Sequence, residues 1–389
     1  MKRLFLLFSL FLALTATHAD DYFRGVWIST VVNIDWPSKE AVGNSKMQQQ
    51  EMTDLLDSLA ALHFNAVFFQ VRPCSDAVYK SDIEPWSEWL TGKQGQDNDI
   101  SYDPLEMMVN EAHKRHMEVH AWINPYRITM PTTDTQNLAP NHLYFKHPDW
   151  FWKYNNQYYF EPGRDETIQW ICRVVADIVS RYNIDGIHMD DYFYPYPDRK
   201  TSLPDYTFYK KHQRGFSDIN EWRRNNVNKA VKALHDTIKS IKPDVQFGIS
   251  PFGIWRNKTH DPKGSKTNGM QTYDDQYADV LLWMKNGWID YVVPQLYWAI
   301  GHKNADHKEL SYWWASQAGK TKVYIGMAAY QQKEPAASSG QNPWTNGNEL
   351  CRQMRLHRQI PKISGEVFFS AKPLLKNPAG ICDSLKLSF

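Results

Sequence analysis

The sequence predicts a single (β/α)8 barrel with long loops at the C-terminal ends of its strands, and three observations carry that expectation. Eight short apolar runs recur along the 389 residues, each followed by a polar segment or a helical pattern. The segments after these runs are long and rich in Trp, Tyr, Pro and Asn, whereas those before them are short, such as Arg115-His116 and Lys242-Pro243-Asp244. No Ser/Gly linker, low-complexity tract or repeat divides the chain, so residues 20–389 read as one elaborated domain. An open doubly wound sheet is the rival. No Gly-rich G-x-G-x-x-G turn follows the first run to support it.

The elements follow in order. Residues 1–19 read as an export signal: Lys2 and Arg3 give a charged start, residues 4–16 an apolar run, and Thr17-His18-Ala19 a small-residue cleavage site. A mature chain starting near Asp20 is expected to be periplasmic or secreted. No other segment approaches the roughly 20 apolar residues of a membrane span, so no stable anchor is expected after cleavage. The strand candidates are FRGVWIST (23–30), FNAVFFQV (64–71), MEVHAWIN (117–124), IDGIHMDD (184–191), VQFGISPF (245–252), IDYVVPQLYW (289–298), VYIGMAAY (323–330) and GEVFFSA (365–371). Helices are expected over 47–62, from Asp103-Pro104 with Asp as cap and Pro at the first position, and over 167–182, 227–241, 273–286, 309–318 and 350–359. Strands alternating with helices imply a parallel sheet, and eight such units imply closure.

Composition narrows the function. A net charge of +1 with no basic cluster argues against nucleic acid as the main partner. The 16 Trp and 21 Tyr residues are many for this length; such rings fill cores, and they also make stacking platforms for sugars. Cys74, Cys172, Cys351 and Cys382 allow three disulfide pairings, and their spacing selects none. No C-x-x-C spacing points to zinc, and no metal or other cofactor is expected. Nothing in the sequence sets the oligomeric state.

The most informative stretch is IDGIHMDDYFYPYP, residues 184–197. A strand over 184–189 places Gly186, His188 and Asp190 on one face and Ile187 and Met189 on the other. The apolar face needs helices over it, so Asp190 faces the barrel. Asp191 follows at once, then Tyr192, Tyr194 and Tyr196, and Pro195 and Pro197 stop the strand. One Asp at this place would read as a helix cap; two beside aromatic rings at the C-terminal end of a strand read as catalytic acids. Gln70, Arg72, Trp122, Asn124, Gln295, Tyr297 and Trp298 end other strands and complete a polar, aromatic rim. His120 and His188 would face the barrel too. A metal site of the amidohydrolase sort needs an H-x-H pair on the first strand, which FRGVWIST lacks, so both read as core histidines. Asp35 and Asp76 lie on rim loops, within reach of the cleft or of their own turns. Glu366 opens the last strand at the wrong end, and Glu161 in FEPGRDE reads as part of a loop-and-cap arrangement.

FRGVWISTVVNIDWPS, FNAVFFQVRPCSDAVYKS with EPWSEWLTG, AWINPYR, IDGIHMDDYFYP, ISPFGIWRN and DYVVPQLYW resemble the glycosyl-hydrolase-like family 10 proteins of bacterial envelopes, over about residues 22 to 380. The resemblance implies a (β/α)8 glycoside hydrolase acting on glycan strands of peptidoglycan already stripped of stem peptides. It implies Asp190 and Asp191 as catalytic acids, and Arg72, Asn124, Tyr126, Arg127, Tyr192, Trp255, Gln295, Tyr297 and Trp298 as cleft residues. Gln295 stands where a second carboxylate on a later strand is expected. Two mechanisms stay open: an enzyme carboxylate as nucleophile or base, with Asp191 or Asp35 as acid, or attack by the substrate's 2-acetamido group, with one Asp orienting it. The rival functions are a non-catalytic glycan-binding barrel and a metal-dependent deacetylase or amidase using His120 and His188.

Overall fold

A computed structural model describes residues 22–97, 100–131, 134–198, 200–333, 342–345 and 348–388. The leader expected over residues 1–19 lies outside them. Eight parallel strands close into a barrel: β1 (Phe23–Ile28), β2 (Ala66–Arg72), β3 (Glu118–Ile123), β4 (Gly186–Met189), β5 (Gln246–Ile249), β6 (Tyr291–Val292), β7 (Lys322–Met327) and β8 (Ile363–Phe368). Each strand pairs with its neighbours in the chain, and β1 closes on β8 through Phe23↔Gly365 to Val26↔Phe368. The outer helices include α1 (Ser45–Ala61), α2 (Pro104–His113), α3 (Asp165–Arg181), α4 (Ile219–Ile241), α5 (Val280–Asn286), α6 (His307–Gln317), α7 (Asn348–His357) and α8 (Ile381–Ser388). The sequence-predicted (β/α)8 barrel is therefore the fold observed. Among the described residues no helix is long and apolar enough to cross a membrane.

Side-chain alternation sorts each strand into two cores. Phe23, Trp27, Phe68, Tyr291 and Tyr324 fill the barrel, while Val26, Ile28, Val67 and Phe69 pack outward beneath the helices. The barrel filling includes a polar column. His188 Nε2 accepts from Trp27 Nε1 at 3.2 Å, and the Tyr291 hydroxyl links His188 Nδ1 (3.3 Å) to His120 Nδ1 (2.8 Å). Two glycines make room for it: a Cβ at Gly186 would sit 2.2 Å from His120 Nδ1, and one at Gly248 would sit 2.0 Å from the Tyr291 ring. Both histidines are wholly buried, and His188 is held uncharged by burial and by His120.

Four segments differ from the sequence expectation. The sixth strand is only two residues, because Pro294 has no N–H for the ladder. Single bridges from Gln295 to Phe252 and Gly326 continue it. The helix expected over 273–286 is two pieces, Thr272–Asp275 and α5, separated by Tyr277 at φ 56° and restarted by the Asp279 cap. Helix α4 begins at Ile219, where the Asp218 carboxylate accepts from Asn220 N at 2.8 Å; its first two turns bury Trp222, Arg224 and Asn226, which break the apolar period. Within the loop over 125–162 a hairpin forms, Phe151–Tyr154 with Gln157–Phe160, and Arg127 bridges to its Tyr159. The four cysteines are unpaired.

Candidate active site

The C-terminal ends of the strands surround a cavity of about 380 Å³, within the range of small-molecule sites. Trp27, Gln70, Trp122 and Ser250 rise from the barrel; Asp190, Asp191, Tyr192 and Tyr196 form one wall; Gln295 and Tyr297 line it as well. Its lining also includes Val32, Ile34 and Tyr330, three of the most exposed large apolar side chains of the described chain. Asp190 and Asp191 are the only carboxylates among the described residues that line it.

Both acids reach one cavity because the strand stops at Met189 and the chain bends at once, with Phe193 N donating back to Asp191 O at 3.0 Å. A continued strand would have turned them to opposite faces. The Asp190 carboxyl takes three donors: Trp122 Nε1 at 3.1 Å, Asn124 Nδ2 at 3.1 and 3.3 Å, and Tyr192 N at 3.3 Å. Burial outweighs them and pushes its pKa up to about 7; the Arg127 guanidinium opposes that rise and Asp191 adds to it. The Asp191 carboxylate accepts from the Tyr196 hydroxyl and from Gln276 Nε2, whose main bond is to Asp191 O at 2.8 Å. Burial raises the Asp191 pKa too, and these donors work against the rise.

Gln70 has the clearest sign of an absent partner. Its Oε1 accepts from Ser29 Oγ, Thr30 N and Val31 N at 2.9–3.1 Å, which fixes the amide. Gln70 lines the cavity, and its Nε2 is buried and meets no acceptor among the described residues. A buried donor without an acceptor is costly, and a substrate hydroxyl or carbonyl would relieve it. Gln295, by contrast, has partners: its Nε2 donates to Ser250 O at 3.0 Å, and its side chain also bonds to the Asp191 carboxylate and holds the Asp191 pKa down.

The other sequence-derived candidates separate clearly. Arg127, Tyr192, Gln295 and Tyr297 line the cavity. Asn124 stands behind Asp190: its Oδ1 accepts from Arg127 N at 3.0 Å, so its Nδ2 must point at the carboxyl. Arg127 donates to Pro73 O and lies over the Tyr192 ring at 5.1 Å. Trp298 lines an adjoining groove instead. Arg72, Tyr126 and Trp255 are not cleft residues. Arg72 is fully buried and forks onto Glu84 at 2.6 and 2.7 Å, while Trp255 stacks on Trp313 and Tyr126 joins the outer core. Asp35 is no rim acid, since Ser29 N, Ser370 Oγ and Lys372 N, each at 2.8 Å, occupy its carboxylate. Asp76 accepts from Cys74 N in its own turn, and Glu161 accepts from Gly163 N. Glu366 points outward to His357 Nδ1 at 2.9 Å. His120 and His188 have their nitrogens taken by the barrel column, Ser250 and Glu118, which leaves no pair of lone pairs converging on a metal. Among the described residues no group of three or more His, Cys, Asp or Glu is arranged to hold one. Sequence reasoning missed Ser250, Gln276 and Tyr330; none has a local signal, because each depends on strand register.

Comparison with known proteins agrees with this geometry. The family model described as Glycosyl hydrolase-like 10 matches residues 22–346. The chain is 47% identical over 371 residues to glycosyl hydrolase YngK of Bacillus subtilis (strain 168), covering 94% of this chain and 71% of that protein. It is 41% identical over 374 residues to glycosyl hydrolase DigH of Escherichia coli (strain K12), covering 91% and 84%. Among solved structures it is similar to the PgaB (BpsB) glycoside hydrolase domain from Bordetella bronchiseptica, with a TM-score of 0.58 at 12% identity over 94% of this chain and 98% of that one. At that identity the likeness shows the fold alone.

Proposed function

The chain belongs to the glycosyl hydrolase-like 10 family, and on that premise we propose that it is an exported glycoside hydrolase cutting bacterial cell-wall glycan, with denuded peptidoglycan strands as substrate. The observation that carries the reading is the pair of adjacent buried carboxyls in one aromatic cavity at the C-terminal face of the barrel. Export rests on the leader pattern of residues 1–19. Denuded strands are the substrate that the family resemblance implies, and among the described lining residues the charged groups are Arg127, Asp190 and Asp191.

The geometry favours the substrate's own 2-acetamido group as nucleophile. A two-carboxylate displacement needs acids on opposite sides of the scissile bond. Here both come from one wall, and Gln295 stands on the sixth strand's extension. Asp190, with a pKa near 7, is suited to give its proton to the leaving glycosidic oxygen. Asp191, as the carboxylate, accepts the acetamide N–H while the acetamide oxygen bonds to the anomeric carbon and the glycosidic C–O bond breaks. Asp190 then takes a proton from the water that opens the cyclic intermediate, and the anomeric configuration is retained. Tyr192 and Tyr196 flank the sugar, and Gln70 Nε2 supplies a donor to it.

The test is mass spectrometry of products from intact sacculi and from denuded strands. Cleavage of denuded strands by wild type, and a loss of about 10³-fold or more in Asp190→Asn, is expected. Binding that persists in both proteins without product would establish a non-catalytic barrel. Strong inhibition by a thiazoline analogue of N-acetylglucosamine is expected; a 2-fluoro sugar trapped on Asp190, or net inversion by NMR, would overturn the acetamido route.

A further inference from the structure

Beside the cavity lies a groove of about 480 Å³ that the chemistry above does not use. The two share Tyr297 and Tyr330, which places the groove next to the cavity. Phe252, Trp298 and Trp344 supply the remaining rings. Trp298 and Phe252 meet edge to face at 5.4 Å and 82°, and Tyr297 and Tyr330 at 5.8 Å and 83°, which sets flat apolar surfaces at right angles along the groove. Its polar lining is amide and imidazole; no Asp, Glu, Lys or Arg is among the described residues that line it.

The walls are held from behind. The Trp298 carbonyl accepts from Gln353 Nε2 and His307 Nδ1, both at 3.1 Å, and His307 continues through His357 to Glu366 in a fully buried chain. Gln331 Nε2 donates to Tyr297 O at 2.6 Å. The Trp298 and Tyr297 walls are thus held in place before any ligand arrives, which lowers the ordering cost of binding. Rings offer flat faces to the C–H faces of a sugar, and neutral amides and imidazole offer partners to its hydroxyls and acetamide. A sugar carrying a carboxylate would find no Lys or Arg among the described residues of this lining.

We infer that this groove is a second glycan subsite, which takes an uncharged N-acetylhexosamine of the strand beyond the sugars at the Asp pair. The inference rests on the glycan-hydrolase reading. It makes the enzyme prefer strands long enough to fill both sites.

The test compares kcat/KM on denuded tetrasaccharide and octasaccharide. Wild type should gain about tenfold or more with the longer strand. Trp344→Ala should lose that gain while keeping the tetrasaccharide value within about twofold. A Trp344→Ala protein that keeps the full length dependence overturns the subsite. If Trp344→Ala does not fold, His302→Ala decides in its place, because His302 is exposed in the same lining and its loss is expected to cut the length dependence about threefold. If wild type cuts no strand of any length, the hydrolase reading fails, and calorimetry with the N-acetylglucosamine hexamer then judges the groove alone. Binding to wild type that Trp344→Ala or His302→Ala weakens sustains the subsite, and absent or unaltered binding overturns it.

Discussion

Asp190→Asn should remove activity and yet stabilise the protein at alkaline pH. Asp190 is 5% exposed, and burial lifts its pKa from 3.8 to about 7 in the folded state. Between those values the folded protein holds a proton that the unfolded chain has released, so stability falls as pH rises through this window. Below it both states are protonated and nothing is lost; above it both are ionised and the full cost of the buried charge applies. A shift of about three units is worth about 4 kcal/mol at pH 8, of which about 3 kcal/mol accrues between pH 5 and pH 8. Asparagine does not titrate. It must turn its NH₂ toward one of the donors from Trp122, Asn124 and Tyr192, a pH-independent cost of about 1–3 kcal/mol. The variant should therefore lie near wild type at pH 5 and above it at pH 8. The quantity to measure is the change in that difference, about 3 kcal/mol in the variant's favour, from urea unfolding of both proteins at the two pH values. Parallel stabilities at pH 5 and pH 8 would refute the buried, raised carboxyl, and with it the assignment of Asp190 as the acid.

Three other perturbations probe the surrounding groups. Gln70→Glu keeps the oxygen that the residues after β1 bond to but replaces the unpartnered Nε2, and kcat/KM should fall about 10- to 100-fold with the fold intact; an unchanged value would mean that the substrate does not use this donor. Tyr196→Phe removes a donor that holds the Asp191 pKa down, so the acid limb of the pH profile of kcat/KM should move to higher pH, and a limb that stays put or moves down counts against Asp191 acting as the carboxylate. Arg72→Met strands the buried Glu84 carboxylate and should cost about 3–5 kcal/mol in urea unfolding, while the turnover of the folded fraction stays close to that of wild type. A large loss of kcat at normal stability would return Arg72 to the cleft.

Much of the architecture was legible because it rests on local rules. Alternation within FNAVFFQV sends Phe68 inward and Val67 and Phe69 outward whatever the strand's neighbours are, and Asp103-Pro104 starts α2 through its own cap, with Asp103 Oδ1 accepting from Leu105 N at 3.1 Å. Asp190 and Asp191 stood out because strand, acids, tyrosines and prolines are contiguous. Where local signals competed, the reading slipped. Helix α4 hid its first turns behind buried polar residues, and IDYVVPQLYW looked like a long strand although Pro294 ends its regular pairing.

The division between sequence and structure follows the range of the interaction. The sequence by itself determined the barrel, the order of its units and the position of the acid pair. Only the tertiary structure decided which polar side chains face the cavity and which hold the scaffold. Arg72 and Gln70 both sit near the end of β2, yet one is consumed by Glu84 and the other presents an unused donor. Asp35 looked equally free until barrel closure brought Ser370 and Lys372 onto it from the far end of the chain. A polar side chain at a strand end can satisfy itself on any loop within reach, and the loops within reach are set by closure and register between strands far apart in the chain.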